Sequence, residues 1–300
     1  MGDLFVKSKG VISFGEVIMD RIISPNSQSF MKVGGATANV AIRLARKSVP
    51  TFYMTKIGTD EHSQYAKQQL EDEGINMSGT ITSVNKKLCI VSIVQEDGER
   101  EFQSYENDTP NIWLEADELN ESIYRKTHIS YFGSGTLFHD IAKKTSLKAL
   151  ELAKKYQHFI VMDANIRLKR WKNESDCRKT INSFLKEADL IKMTEEELLF
   201  LCKAKDYRTA LQQLSSWSNQ WILITRGRLG AKLLHKEKSI TVEAPTVDVV
   251  DTTGAGDAFL SSILHDIYYH GIPSNELEWK HVLLRANTEG AHAVSIFGAY

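Results

Sequence analysis

The segment Val250-Asp251-Thr252-Thr253-Gly254-Ala255-Gly256-Asp257-Ala258-Phe259 runs straight into the apolar stretch Leu260-Ser261-Ser262-Ile263-Leu264. Small residues ahead of a helix let the backbone N–H groups of its first turn face an anion with no Cβ in the way, and the helix dipole adds favourable potential. Gly254, Ala255 and Gly256 therefore read as a phosphate cradle. A carboxylate inside such a cradle would repel the phosphate unless it had chemistry to do. Held ionised near the helix N-terminus, Asp257 can accept the proton of an attacking hydroxyl, the general-base role in phosphoryl transfer. The alternative is structural, with Asp257 as a first-turn helix acid and Thr253 or Asp251 as N-cap. Spacing alone leaves both open.

A second glycine pair, Gly34-Gly35, precedes an amphipathic segment, Ala38 to Arg46, with Asn39 in its first turn. Gly-Gly permits close approach of a ligand to the backbone, and Asn39 offers both a donor and an acceptor to a polyol hydroxyl. A plain strand-to-helix turn explains the same residues. Asp20, after the first apolar segment, is either a grip on two sugar hydroxyls or a surface turn residue. Thr194-Glu195-Glu196-Glu197 fits a capping box, Thr194 as N-cap and Glu197 at N3, though a carboxylate there can also hold magnesium through water. Thr225-Arg226-Gly227-Arg228-Leu229-Gly230 is either a phosphate- or ribose-touching loop or a hairpin turn.

Working outward, strand-length apolar segments alternate with helix-length amphipathic ones, the signature of a βαβ series with a largely parallel sheet. Strands are expected at Val11 to Phe14, Thr51 to Ile57, His128 to Phe132, Phe159 to Asp163, Leu190 to Met193 and Trp221 to Thr225. Helices are expected at Ala38 to Arg46 and Asp140 to Tyr156. Ligands should gather where loops leave the carboxyl ends of the strands. Leu88 to Gln95 and Arg100 to Tyr105, joined across Asp97-Gly98, break the alternation and read as a hairpin. With Val17 to Ile23 they would form a small antiparallel sheet standing off the main one, either a flap over a site or an ordinary edge hairpin.

Composition narrows the functions. With 42% hydrophobic and 25% charged residues among 300, and no apolar run of about 18 residues, the chain reads as soluble and globular. Lys and Arg total 37 against 38 Asp and Glu, so no global field recruits nucleic acid or a membrane. Cys89, Cys177 and Cys202 are an odd number without a CxxC, which points to reduced thiols in a cytoplasm. The amino terminus does not read as a secretory signal. No G-x-x-x-x-G-K-S/T, no H-R-D with D-F-G, and no G-x-G-x-x-G after the first strand occurs, excluding P-loop enzymes, protein kinases and Rossmann dehydrogenases.

Taken together, Asp251-Thr252-Thr253-Gly254-Ala255-Gly256-Asp257 resembles the carboxy-terminal signature of the PfkB, or ribokinase-like, sugar kinases. Gly34-Gly35-Ala36-Thr37-Ala38-Asn39-Val40-Ala41, continuing to Ser48 and Gly58, resembles their amino-terminal signature. The likeness spans essentially the whole chain, including Asp163-Ala164-Asn165-Ile166-Arg167 with Trp171, and Asn287 to Gly290. It implies one α/β domain over 1–300, a doubly wound, mainly parallel sheet flanked by helices. A small antiparallel β lid would come from about 16–33 and 86–108.

The resemblance implies ATP as phosphoryl donor, Asp257 as base, and the N–H groups of Gly254, Ala255 and Gly256 as the anion hole. Asp20, Gly34, Gly35, Asn39, Tyr105, Asn165 and Arg167 would contact the sugar. Lys192, Thr194, Thr225, Gly227, Gly230 and Asn287 would border the nucleotide. The family's N-x-x-E motif appears as Thr194-x-x-Glu197, with Thr where Asn is usual; Glu197 keeps the role of holding Mg2+ through water. Some members use potassium, which here would involve Asp251 and Thr253. In many relatives the lid also pairs two subunits, so a homodimer is implied, with no nucleic acid or membrane partner.

Gly15-Glu16-Val17-Ile18-Met19-Asp20 and Asp163 to Trp171 look most like bacterial fructokinases. Fructose phosphorylated at its 6-hydroxyl is therefore expected. Sugar-acid kinases such as those for 2-keto-3-deoxygluconate, and more distantly nucleoside kinases, are the alternatives. If Glu106 takes the place of an arginine common after the lid hairpin, its charge disfavours sugar acids. A non-catalytic sugar-binding protein is the competing class, and it would need neither Asp257 nor the anion hole.

Overall fold

The structure, a computed structural model, describes residues 9–23, 29–96, 99–104, 108–217, 220–296 and 298. In chain order its strands are β1 (Gly10–Phe14), β2 (Ile18–Ile23), β3 (Ser29–Gly34), β4 (Thr51–Met54), β5 (Lys56–Ile57), β6 (Ile81–Thr82) and β7 (Ile90–Glu96). They continue as β8 (Glu99–Ser104), β9 (Thr127–Gly133), β10 (Phe159–Asp163), β11 (Leu190–Thr194), β12 (Trp221–Thr225), β13 (Ala231–His235) and β14 (Lys238–Val242). The helices are α1 (Ala36–Arg46), α2 (Glu61–Asp72), α3 (Glu121–Tyr124), α4 (Asp140–Lys155) and α5 (Glu174–Leu185). After these come α6 (Glu195–Cys202), α7 (Tyr207–Gln213), α8 (Ala255–His270) and α9 (Glu276–Val294).

The main sheet has the order β14-β13-β12-β11-β10-β9-β1-β4. From β4 to β12 every ladder is parallel, and β13 and β14 add an antiparallel edge. Successive strand residues face opposite sides, and the sheet uses both. Ile12, Ile160, Met162, Ile191, Ile222 and Ile224 pack with residues of α4, α5 and α6 such as Leu150, Ile181 and Leu198. Val11, Tyr131, Val161, Leu190 and Leu223 pack on the other side with Val40 and Leu44 of α1, Phe259 and Ile263 of α8, and Leu283 of α9. Burial on both faces is why the central strands are continuous apolar runs.

The segment expected as one strand, Thr51 to Ile57, is two. The chain leaves the main sheet at Thr55, whose carbonyl accepts from Ile81 N at 3.0 Å, and β5 pairs with β6 instead. The loop from Arg226 to Gly230 forms the turn of an antiparallel β12–β13 hairpin.

β3, β2, β7 and β8 form a separate four-stranded sheet in that order. Its β2–β3 and β7–β8 ladders are antiparallel and its central β2–β7 ladder is parallel. The register closes with Glu96 opposite Glu99, while Asp97 and Gly98 themselves lie outside the described residues, as do Tyr105 and Glu106. Among the described residues no helix is long and apolar enough to cross a membrane.

Candidate active site

The two helices that begin beside each other at the carboxyl end of the sheet, α1 and α8, share an unusual start. Each has a glycine N-cap, Gly35 and Gly254, with no side-chain cap. By contrast α2, α5, α6, α7 and α9 are capped by Asp60, Asn173, Thr194, Asp206 and Asn275. The first-turn N–H groups of a helix have no intrahelical acceptor, so the GAG turn keeps donors for an anion. Neither Thr253 nor Asp251 caps α8, as the structural alternative required. Asp251 is buried and braces the turn ahead of it, accepting from Thr253 N and from Gly298 N, both at 3.0 Å.

Asp257 lies in the first turn of α8, and Asn39 donates to it from Nδ2 to Oδ2 at 2.7 Å. Asn39 is itself in the first turn of α1 and 5% exposed. The Asp257 side chain is half-buried. Loss of solvation pushes its carboxyl above the usual value, opposed by the Asn39 hydrogen bond and then by the charges of Lys192, Arg167 and Arg43. An ordinary surface first-turn acid has none of these partners.

Strand alternation explains what lies underneath. Asp163 follows Val161 by two residues and Lys192 follows Leu190 by two, so both point to the α8 side, and the parallel register pairs them directly. Lys192 Nζ lies 3.1 Å from Asp163 Oδ2, with both residues at 5% exposure or less. A methyl group added at Gly256 would come within 2.9 Å of that ammonium. Lys192, expected to border the nucleotide, is buried and paired with Asp163 beneath the Gly254-Ala255-Gly256 turn. Burial pulls its pKa down, but Asp163, Glu197 and Asp257 outweigh that and hold it above its ordinary value. Tyr131 joins this layer, its hydroxyl buried without a partner and its pKa raised first by burial, then by Asp163 and Asp257.

Among the residues expected to contact the sugar, the Asp20 carboxylate lies against Gly34, where a Cβ would overlap it. Gly35, at φ 100°, allows the backbone to turn into α1 within reach of the Glu16 carbonyl. Asn165 takes a left-handed conformation, φ 31°, with its N–H on Asp163 Oδ1 at 3.2 Å. Arg167 is exposed. The turn that follows it, Leu168–Arg170, is anchored by a buried ion pair from Arg170 to Glu16 and by a 3.0 Å bond from Arg170 to the Gly135 carbonyl.

Farther along the strand ends, the capping box at Thr194 and Glu197 forms as the spacing predicts. Glu197 accepts from Thr194 N at 2.8 Å through one oxygen and from Ile166 N at 2.7 Å through the other. Thr225 ends β12 with its hydroxyl 3.4 Å from the Met193 carbonyl. Gly227 has open space where a Cβ would be, whereas at Gly230 the Val242–Ala244 backbone fills it. Asn287 is 5% exposed and donates to the Val242 and Glu243 carbonyls at 2.8 and 3.2 Å. Gly230 and Asn287 therefore both bear on the backbone of residues 242–244.

Asp163, Tyr131 and Arg43 were not singled out from sequence as site residues. The available signal was a charged residue ending an apolar strand, as in Phe159-Ile160-Val161-Met162-Asp163. Arg43 follows Asn39 by one helical turn, which puts both on one face.

The profile of the pfkB family carbohydrate kinases matches residues 8–300. The chain is 32% identical over 304 residues to probable fructokinase-6, chloroplastic, of Arabidopsis thaliana, covering 98% of this chain and 79% of that protein. Its fold is similar to that of fructokinase from Vibrio cholerae O395 in the fructose, ADP and calcium ion bound form, with TM-score 0.88, 22% identity and coverage of 97% and 94%. It is equally similar to fructokinase with bound ATP from Xylella fastidiosa, with TM-score 0.88, 23% identity and coverage of 97% and 94%. With both glycine-led helices, the paired Asn39 and Asp257 and a match across 8–300, the chain belongs to the pfkB family of carbohydrate kinases.

Proposed function

We propose that this protein is an ATP-dependent sugar kinase that transfers the γ-phosphoryl group to the 6-hydroxyl of fructose. The observation that carries the chemistry is the desolvated Asp257, fixed by Asn39 in the first turn of an uncapped helix. The fructokinase names of relatives such as the Arabidopsis protein support the sugar. The fructose oxygen attacks the γ-phosphorus as its proton passes to an Asp257 oxygen. The bond from phosphorus to the bridging oxygen breaks and its electron pair leaves with ADP. Charge developing on the transferred group meets the N–H groups of Gly254, Ala255 and Gly256.

Asp20, Gly34, Gly35, Asn39 and Asn165 line the sugar side in this reading. Asn39 Oδ1 is buried without a partner in the protein, an orphan acceptor that costs on the order of 1–3 kcal/mol and that a sugar hydroxyl would relieve. Thr194, Thr225 and Gly227 border the nucleotide. The Glu197 carboxylate fits magnesium held through water, because each oxygen spends only one lone pair on a backbone N–H. Magnesium there would neutralise phosphate charge. The buried Asp251 beside Thr253 would serve a potassium ion in the same way. Residues of about 16–33 and 86–108 would act as a lid on the single domain spanning 1–300, and the lid sheet would pair two subunits, which light scattering tests.

A second reading rests on Arg167, an exposed cation whose charge reaches Asp257. An arginine there suits the carboxylate of a sugar acid. Turnover of ATP against a panel of sugars separates the two. Fructose should show the highest kcat/KM; a higher value for 2-keto-3-deoxygluconate would favour the second reading. No sugar-dependent ATP consumption at all would leave a binding protein.

A further inference from the structure

Glu16 and Arg170 stand 154 positions apart and form an ion pair in which the Arg170 side chain is 1% exposed and that of Glu16 11%. Each end is tied to further structure. The two N–H groups of Arg170 Nη1 serve the Glu16 carboxylate and the Gly135 carbonyl, the latter at 3.0 Å. The guanidinium lies over the Phe138 ring, 4.4 Å from its centroid. A Cβ at Gly135 would overlap the Glu16 carboxylate, so the turn after β9 closes directly on the pair.

Glu16 sits where the chain passes from β1 of the main sheet to β2 of the four-stranded sheet. Its carbonyl accepts from Thr37 Oγ1 and from Tyr53 OH, each at 2.7 Å. At the return crossing, from β3 to α1, Gly35 comes so close that an added Cβ would lie 2.7 Å from the same carbonyl oxygen. Arg170 ends the short turn Leu168–Arg170 that follows Asn165 and Arg167. Ser134 holds the start of that loop, donating to the Ala164 and Asn165 carbonyls. The pair therefore joins the loop bearing Asn165 and Arg167 to the β1–β2 and β3–α1 crossings, beside Gly35.

We propose that Arg170 is a positioning residue: through Glu16 it holds the loop of residues 164–170 in place against the Gly34-Gly35 turn, and so sets the affinity for the sugar. The inference rests on the kinase reading above, in which residues of both segments contact the sugar. Replacing a buried ion pair by apolar groups of similar size often leaves stability unchanged or higher, so stability alone does not account for this one. It fixes one geometry. The partners of the pair named above all lie outside α8, which carries Asp257, so the chemical step should change little.

Arg170→Met leaves the Glu16 charge buried without its counterion, and Tm should fall. Adding Glu16→Gln removes that charge and should recover most of the loss. Fructose KM should nevertheless stay raised at least about tenfold in the double variant, with kcat within about threefold of wild type and ATP KM unchanged. Hydrogen exchange of the substrate-free double variant reads the same coupling without catalysis: amides of 15–19 and 165–171 should exchange faster together, with those of α8 unchanged. A wild type that does not phosphorylate fructose would count against the fructose assignment alone; KM is then read with the sugar it does turn over, and the exchange pattern decides in any case. Recovery of KM along with Tm, or faster exchange in only one of the two segments, would overturn the proposal.

Discussion

Asn39 and Asp257 stand 218 positions apart in the chain and share a 2.7 Å hydrogen bond. The bond joins the first turns of the two helices that start at glycine N-caps. One contact therefore fixes the candidate base and joins the Gly34-Gly35 turn to the Gly254-Ala255-Gly256 turn.

Asn39→Ala removes the principal hydrogen bond that offsets the desolvation of Asp257. One such bond to a charged group contributes about 1.5–3 kcal/mol, so kcat/KM for fructose at neutral pH should fall roughly tenfold or more. Steady-state kinetics of the purified variant measure it. An unchanged value would mean that the contact has no part in the reaction.

The pH profile follows from the direction of the Asp257 shift. Activity needs the carboxylate, and burial raises its pKa in the folded protein. The acid limb of kcat/KM should therefore lie above the ordinary aspartate range. Arg43 opposes the shift, alongside Lys192 and Arg167, while Asp163 is the neighbouring acid. Arg43→Gln should move the acid limb to higher pH with little change in the plateau. A limb that stays in place would show that the Arg43 charge does not reach the base.

Stability should move against activity. Below the unfolded-state pKa, Asp257 is protonated in both folded and unfolded chains and costs nothing. Above its raised folded-state pKa it is charged in both, and the folded state bears the desolvation. Between the two values stability falls as pH rises. Asp257→Asn should therefore raise Tm at neutral pH, and the gain should vanish at acid pH. Thermal melts across pH check it; a lower Tm at pH 7 would contradict the sign.

Lys192→Met should destabilise by about 3–5 kcal/mol, because it leaves the Asp163 carboxylate buried without its counterion. Combining it with Asp163→Asn should recover much of that loss, which urea melts of the two single variants and the double variant would show as strong non-additivity. Additive losses would mean that the two groups do not act as a pair.

Much of this arrangement was legible from sequence where local rules act alone. The GAG turn, the Gly34-Gly35 turn and the Thr194 capping box depend on a few consecutive residues, and each forms. Strands buried on both faces announced themselves as apolar runs. Long-range choices were not legible. Nothing in Thr51 to Ile57 signals that the chain exchanges sheets at Thr55, because the new partner, Ile81, is remote in sequence. The partner of Lys192 was not legible for the same reason: its burial depends on the register that places Asp163 beside it. Arg43 became relevant only when α1 packed against α8.

The central claim is that Asp257 is the base of a fructose-phosphorylating kinase, and the kcat of Asp257→Asn with ATP and fructose tests it most directly. The substitution keeps shape and the Asn39 contact while removing the proton acceptor. The account predicts a folded protein with fructose KM nearly unchanged and kcat lower by roughly 100-fold or more. A folded variant with near-normal kcat would contradict it.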